Sequence, residues 1–302
     1  QLLIAAVAAT MTSVAMADVS ITGQMKAKYT NTDFGSTAVN TNVIASESNL
    51  YVAGKSGDSA FRMELNADSG NSNAITTEDL WMSTKIADVT VKAGAWNGSD
   101  SLIGPDSARA DGKYSASTSV GGVGITLNGS NDLNVEAVLK GSVSGVDLSY
   151  TTKIKDNKIT LDTNVAGVGI SYVNANNDAA NTSESAFSLS YETNGATLGY
   201  ASYTSDTGAS NTGDHKFGDL AGLAGNGDDV TAFSVSAALA GNDFMARKTV
   251  VDATNDYDIT TIEVSRALAA GSDLTVTYTD TDLAGSVASD TTTLDVELAV
   301  KF

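Results

Sequence analysis

Cysteine is absent from the 302 residues, proline and histidine occur once each (Pro105 and His215), and aromatic residues make up 6%. Each shortage removes a class of chemistry. Without cysteine there is no disulfide frame and no thiolate ligand, so a large exported chain needs another closure, such as a fully hydrogen-bonded barrel. A lone histidine leaves His-based metal sites and Ser–His–Asp schemes without their parts. Asp214 or Asp219 could pair with His215, but no further group completes a catalytic set. Seventeen Lys and Arg stand against thirty-six Asp and Glu, a net charge of −19. That balance excludes nucleic acid as a partner, because phosphate backbones need clustered cations. One proline and evenly spread glycine leave no linker, so the chain reads as one domain.

Long apolar runs are also missing after Ala17, so no segment approaches the roughly 20 residues of a membrane-spanning helix. Before it, Leu2–Val14 is uncharged and apolar, and Ala15-Met16-Ala17 has the small-x-small form of a signal-peptidase site. Residues 1–17 are therefore expected to be part of a signal peptide, with Asp18 as the mature start. A buried N-terminal helix is the alternative. Gly121-Gly122-Val123-Gly124 fits a tight turn, since no helix follows to make a phosphate loop. Asp228 and Asp229 near Gly225 could offer oxygen ligands to calcium. They lack the spacing of a known loop, and a solvated surface loop explains them. No cofactor or metal is expected.

What is present is a period of two. Leu294, Val296, Leu298, Val300 and Phe302 alternate with Asp295, Glu297, Ala299 and Lys301. Val146, Leu148, Tyr150, Thr152 and Ile154 alternate with Asp147, Ser149, Thr151, Lys153 and Lys155. Such alternation sets one face against an apolar medium and the other against water. Strands are expected near 18–29, 46–56, 58–67, 77–87, 88–96, 110–120, 122–129, 132–142 and 144–155. Others follow near 157–166, 167–175, 184–194, 195–204, 229–240, 242–252, 256–269, 271–280 and 290–302. The count is 16 or 18. The weakest segments are 242–252 and 256–269, where Lys248, Glu263 or Arg266 interrupts an apolar face.

Alternate links are short and rich in turn residues: Gly57, Ala87-Asp88, Gly121-Gly122, Asn194-Gly195 and Gly241-Asn242. The longer ones (30–45, 68–76, 97–109, 176–183, 205–228 and 281–289) fall in the other register. Long links at one end, with both termini at the short-turn end, describe an all-β, transmembrane, antiparallel up-and-down β-barrel with its termini in the periplasm. A sandwich has crossovers and no reason for this parity.

Several stretches resemble the Gram-negative general porins. Asp18-Val-Ser-Ile-Thr-Gly-Gln-Met-Lys-Ala is similar to the family's opening strand. Ser48–Gly57 and Ala60–Asn66 are similar to its second and third. Arg109–Ser117, followed by Gly121-Gly122, resembles the return strand after the loop that folds into the pore. Ala299–Phe302 resembles the closing aromatic that the outer-membrane assembly machinery reads. The resemblance implies residues 18–302 as an outer-membrane channel for passive diffusion of small hydrophilic solutes and ions, as a homotrimer in the lipid bilayer. Two features depart from it. The aromatic girdles are thin, with Tyr29, Tyr114, Tyr150, Tyr172, Tyr191, Tyr200 and Tyr278 supplying part of one. The Pro-Glu-Phe-Gly-Gly element of some constriction loops is absent.

If the apolar set faces lipid, Lys26, Lys28, Lys55, Arg62, Lys85 and Lys92 face the lumen on five neighbouring strands, with Glu64 beside Arg62. The family opposes such a basic wall to acids on an inward-folded loop. Here that loop is 97–109 with Asp100 and Asp106, and Asp111 just beyond. Opposed charges across a narrow gap orient dipolar solutes and select ions. The plainer explanation is that any lumen wall must be polar. Trp81 is expected inward and Trp96 at a strand end, in packing or interfacial roles. Phe302 is expected to be the assembly signal. The rival function is a secreted surface-layer or adhesin-like structural β protein without channel activity. Nothing indicates an enzyme.

Overall fold

The computed structural model describes residues 18–35, 39–69, 75–96, 110–129, 135–153, 156–177, 182–205, 223, 228–253, 256–269, 271–283 and 290–302. The leader expectation for residues 1–17 lies outside them. Eighteen strands follow one another. They are β1 (Asp18–Asp33), β2 (Thr41–Ser56), β3 (Ser59–Asp68), β4 (Ile75–Ile86), β5 (Val89–Trp96) and β6 (Ala110–Val120). Next come β7 (Val123–Gly129), β8 (Glu136–Val143), β9 (Val146–Lys153), β10 (Asp156–Val165), β11 (Val168–Asn177) and β12 (Thr182–Thr193). The last six are β13 (Ala196–Ser205), β14 (Asp229–Leu239), β15 (Asn242–Asp252), β16 (Tyr257–Ala269), β17 (Ser272–Leu283) and β18 (Thr291–Lys301).

Each strand pairs antiparallel with its sequence neighbours, and β1 pairs with both β2 and β18, so the sheet closes. Closure gives every strand two hydrogen-bonded neighbours and abolishes the edges that an open sheet would expose. The count is therefore 18, and both segments with interrupted faces are full strands. The first link is shorter than expected: β1 and β2 extend through Thr32↔Thr41, past the residues read as loop. Tyr29 Oη and Asn31 Nδ2 both donate to Asn42 Oδ1, at 2.8 and 2.7 Å, which gives this polar extension its cross-strand partners.

The links after even-numbered strands are two residues each, from 57–58 to 270–271. Several use positive φ at both positions, as a turn matched to strand twist requires. Asn194-Gly195 has suitable residues for this, but Ala240-Gly241 places an alanine at φ 54°. A Cβ in the left-handed region is unfavourable, and asparagine tolerates it better. Replacing exposed Ala240 by Asn is expected to stabilise the barrel by roughly 0.5–1 kcal/mol, read as a raised urea midpoint. A midpoint at or below wild type would contradict this strain.

Cross-strand partners share a face, so the pairing rows sort the wall into inside and outside. Outward positions are apolar: Ile21, Ile44, Met82, Val143, Leu239 and Ile262 are all exposed. Tyr29, Tyr114, Tyr150, Tyr172, Tyr191 and Tyr278 are exposed among them, and Tyr200 packs on Phe233 with ring centroids 5.2 Å apart. Towards the long-link end the outward set turns polar, with Asn174 and Asn176 on β11 and Asp280 and Asp282 on β17. A continuous apolar band of this kind is stable only against an apolar medium. Of the three charges expected to interrupt it, Glu263 shares the inner face with Thr277 and Asp295. Lys248 and Arg266 are on the outer face, and Lys248 is paired with Asp258 at 2.8 Å.

Candidate functional site

Over most of the ring the inner face is hydrophilic because it receives the polar member of the alternating pairs. On β1–β4 it is a connected mat. Asn49 Nδ2 donates to Glu47 Oε1 at 2.6 Å, and Asn66 Nδ2 donates to Glu47 Oε1 and Asn49 Oδ1 at 3.0 and 2.8 Å. Lys26 reaches Glu47 at 3.9 Å, and Lys28 reaches Asp295 of β18 at 3.0 Å. Arg62 lies between two carboxylates, Glu64 at 2.8 Å and Asp79 at 3.1 Å, with its guanidinium 5.2 Å from the Tyr51 ring centre.

All six cations expected in the basic wall are on inward rows, but they separate by depth. Lys55 and Lys85 lie within two residues of the short turns, at the barrel mouth. Lys26, Lys28, Arg62 and Lys92 lie deeper. Lys92 Nζ sits 4.4 Å from the Trp81 ring centre and 4.0 Å from that of Trp96, and Lys113 joins at 5.4 Å. Trp81 is thus inward, as its register required, while Trp96 is buried at the end of β5. Asp100 and Asp106 lie outside the described residues, and Asp111 is the second residue of β6.

Three features were missed in the sequence. The first is that the cations of β1–β3 find carboxylates in the wall itself (Glu47, Asp79 and Asp295 as well as Glu64). The inward parity of Glu47 and Asp295 was legible, but their adjacency depended on register. The second is Lys113, whose parity opposite Tyr114 could have identified it. The third is an apolar area of the inner wall. Ala186, Ala201, Tyr203, Val230, Ala232 and Val251 form one buried cluster, with Val230 and Val251 at 0% exposure. Leu223, from the 23-residue link between β13 and β14, packs against it, and Tyr257 Oη donates to the Leu223 carbonyl at 2.9 Å. Tyr203 Oη donates to Glu184 Oε2 at 2.8 Å, which satisfies its hydroxyl inside this apolar surface. No sequence period marks a loop residue as the lid of a wall patch.

Charge is unevenly distributed round the ring. On β12–β18 the inward rows carry Glu184, Glu192, Asp243, Glu263, Asp273 and Glu297 besides Asp295. Arg247 and Lys301 are the only inward cations there among the described residues. Across β7–β10 a cavity of about 740 Å³ opens into the lumen, lined by hydroxyls of Thr126, Ser149, Thr151 and Thr160 and by Lys140 and Asp162. The described residues contain no group of His, Cys, Asp and Glu able to hold a metal ion.

No protein-family model matches the sequence, and no curated protein does. Solved structures do match its fold. OccAB4 of Acinetobacter baumannii superposes with a TM-score of 0.71 at 9% identity, covering 94% of this chain and 98% of that one. OccK11 (OpdR) of Pseudomonas aeruginosa gives 0.71 at 11%, over 94% and 96%. OccK2 (OpdF) of the same organism gives 0.70 at 10%, over 94% and 98%. At such identities the likeness is one of fold: an 18-stranded barrel with this course is an established architecture.

Proposed function

We propose that the protein is an outer-membrane porin, a water-filled channel through which small hydrophilic solutes and ions diffuse passively. The observation that carries this is the two-sided wall: a closed barrel with a continuous apolar outer band and a charged, hydroxyl-rich inner face. Only a closed barrel or a helix satisfies every backbone polar group within a bilayer. A polar inner face serves no purpose unless water fills it. The general-porin resemblance supports a homotrimer, residues 1–17 as its export signal, and Phe302 as the residue read by the assembly machinery.

Selection is electrostatic. Lys26, Lys28 and Arg62 are offset by carboxylates in their own wall, so they order the lining without making it cationic. The acid excess on β12–β18 then sets the sign, attracting cations and lowering the local anion concentration. Lys92 and Lys113, on the opposite arc, add a transverse field that orients dipolar solutes. Asp100, Asp106 and Asp111 would add acid to the constriction on this reading.

The test is single-channel recording of refolded protein in a planar bilayer under a salt gradient. Stable steps with a cation-selective reversal potential are expected. Replacing Glu263 and Glu297 together by Gln is expected to move the reversal potential towards zero. An unchanged potential would discard the acid arc as the selectivity element. No steps from a folded, heat-modifiable barrel would favour a structural surface protein instead.

A further inference from the structure

Seventeen of the eighteen seams of this barrel join strands that follow each other in sequence. Nine of these have links of only two residues, which constrain the register tightly. The β1–β18 seam has no turn, because its strands lie at opposite ends of the chain. Alternation cannot fix its register either. A one-residue slip would invert the faces. A two-residue slip keeps Val296, Leu298 and Val300 outside and Asp295 and Glu297 inside. It would nonetheless change the stagger of the whole ring, and with it the barrel's tilt and width.

Two sets of contacts mark the observed register: Lys28 and Thr30 meet Asp295 across the seam, and Gly23 meets Phe302. Gly23 and Phe302 exchange backbone hydrogen bonds, Gly23 N–H to Phe302 O at 2.7 Å and Phe302 N–H to Gly23 O at 3.0 Å. The Phe302 ring lies over the glycine, where a Cβ would stand 2.4 and 2.6 Å from ring carbons. Gly23 is buried although its row faces outward, because the ring covers it. On β1 the outward neighbours two residues away are Ile21 and Met25, so Gly23 is the one gap in that stretch that admits an aromatic ring. The same arrangement recurs where the Phe61 ring covers Gly54 and the Tyr114 ring covers Gly129. A ring over such a glycine also shields backbone that would otherwise meet an apolar medium.

We propose that Gly23 is the seat of the Phe302 ring and that this contact sets the register at which β18 closes on β1. Asp295, which pairs with Lys28 at 3.0 Å and accepts from Thr30 Oγ1 across the same seam, is the competing determinant. Gly23 is a positioning residue, acting through closure and not through solute contact.

The absence of cysteine makes the register directly readable. Lys26 opposes Ala299 across the seam, so Lys26→Cys with Ala299→Cys is expected to form a disulfide in the folded barrel. Lys26→Cys with Glu297→Cys, or with Lys301→Cys, reports the two slipped registers. Adding Gly23→Val is expected to cut the native cross-link and raise a slipped one, or to lower the yield of closed, heat-modifiable barrel. Phe302→Ala should weaken register fidelity by itself and make Gly23→Val less harmful, since the ring is then gone. A native cross-link at unchanged yield in Gly23→Val would overturn the proposal. So would equal damage with and without Phe302, which would trace the effect to the Asn49 carbonyl, 3.1 Å from the same Cβ position. Slippage in Lys28→Gln but not in Gly23→Val would assign the register to the ion pair.

Discussion

Val235→Arg, measured by reversible unfolding from lipid vesicles, is expected to cost about 2–4 kcal/mol, while Ser236→Arg beside it costs far less. Val235 is 43% exposed on the outer face, between Leu198 and Ala246, with Phe233 on one side along its strand and Ala237 on the other. An arginine there must either enter hydrocarbon or distort the bilayer. Ser236 pairs with Thr197 and Met245 on the inner face, where a guanidinium remains in water. The second variant should instead change the channel, reducing cation preference by adding a positive charge to the acid arc. A larger cost for Ser236→Arg would mean that the inside and outside of the wall have been exchanged, and equal costs would mean that no bilayer surrounds it.

The second large effect concerns the apolar area of the inner wall. Val251→Asp would place a carboxylate where the native side chain has no solvent exposure, among Val230, Tyr203 and Tyr257. Burying an unpaired charge costs several kcal/mol unless it is neutralised or the cover lifts away. Lifting is the cheaper response, because among the described residues Leu223 meets the wall through one apolar contact area and one hydrogen bond from Tyr257. Losing the first is worth about 2 kcal/mol and the second roughly 1 kcal/mol. The variant is therefore expected to stay closed as a barrel and to conduct more, with noisier steps. Val251→Ala supplies the control, with a cost of about 2 kcal/mol and little change in conductance. Unchanged conductance in Val251→Asp, with heat-modifiability retained, would show that Leu223 does not narrow the path.

The legible part of the site follows from parity. Lys26, Lys28, Arg62 and Lys92 could be placed inside because each alternates with apolar neighbours on its own strand. Depth was legible too, since Lys55 and Lys85 stand two residues from the turns at Gly57 and Ala87-Asp88, so the basic wall of six divides on that ground alone. Partnership was not legible. Arg62 meets Asp79 because the β3–β4 register sets Asp79 opposite Glu64, one inward row from Arg62, and no single-strand pattern records a register. Leu223 lay beyond reach for a different reason, as one apolar residue in a long polar link carries no periodic signal.

By itself the sequence determined the strand class, five of the tight turns and the two faces of the strands that alternate cleanly. These are local properties: a two-residue period and a turn conformation are set within a few positions of the chain. Tertiary structure alone decided the closure of β18 on β1, the register carried round eighteen seams, and the meeting of charges across them. It also decided that Leu223 packs on an apolar stretch of inner wall. Those outcomes depend on summing registers round a ring and on contacts between residues far apart in the chain, and a local pattern contains neither.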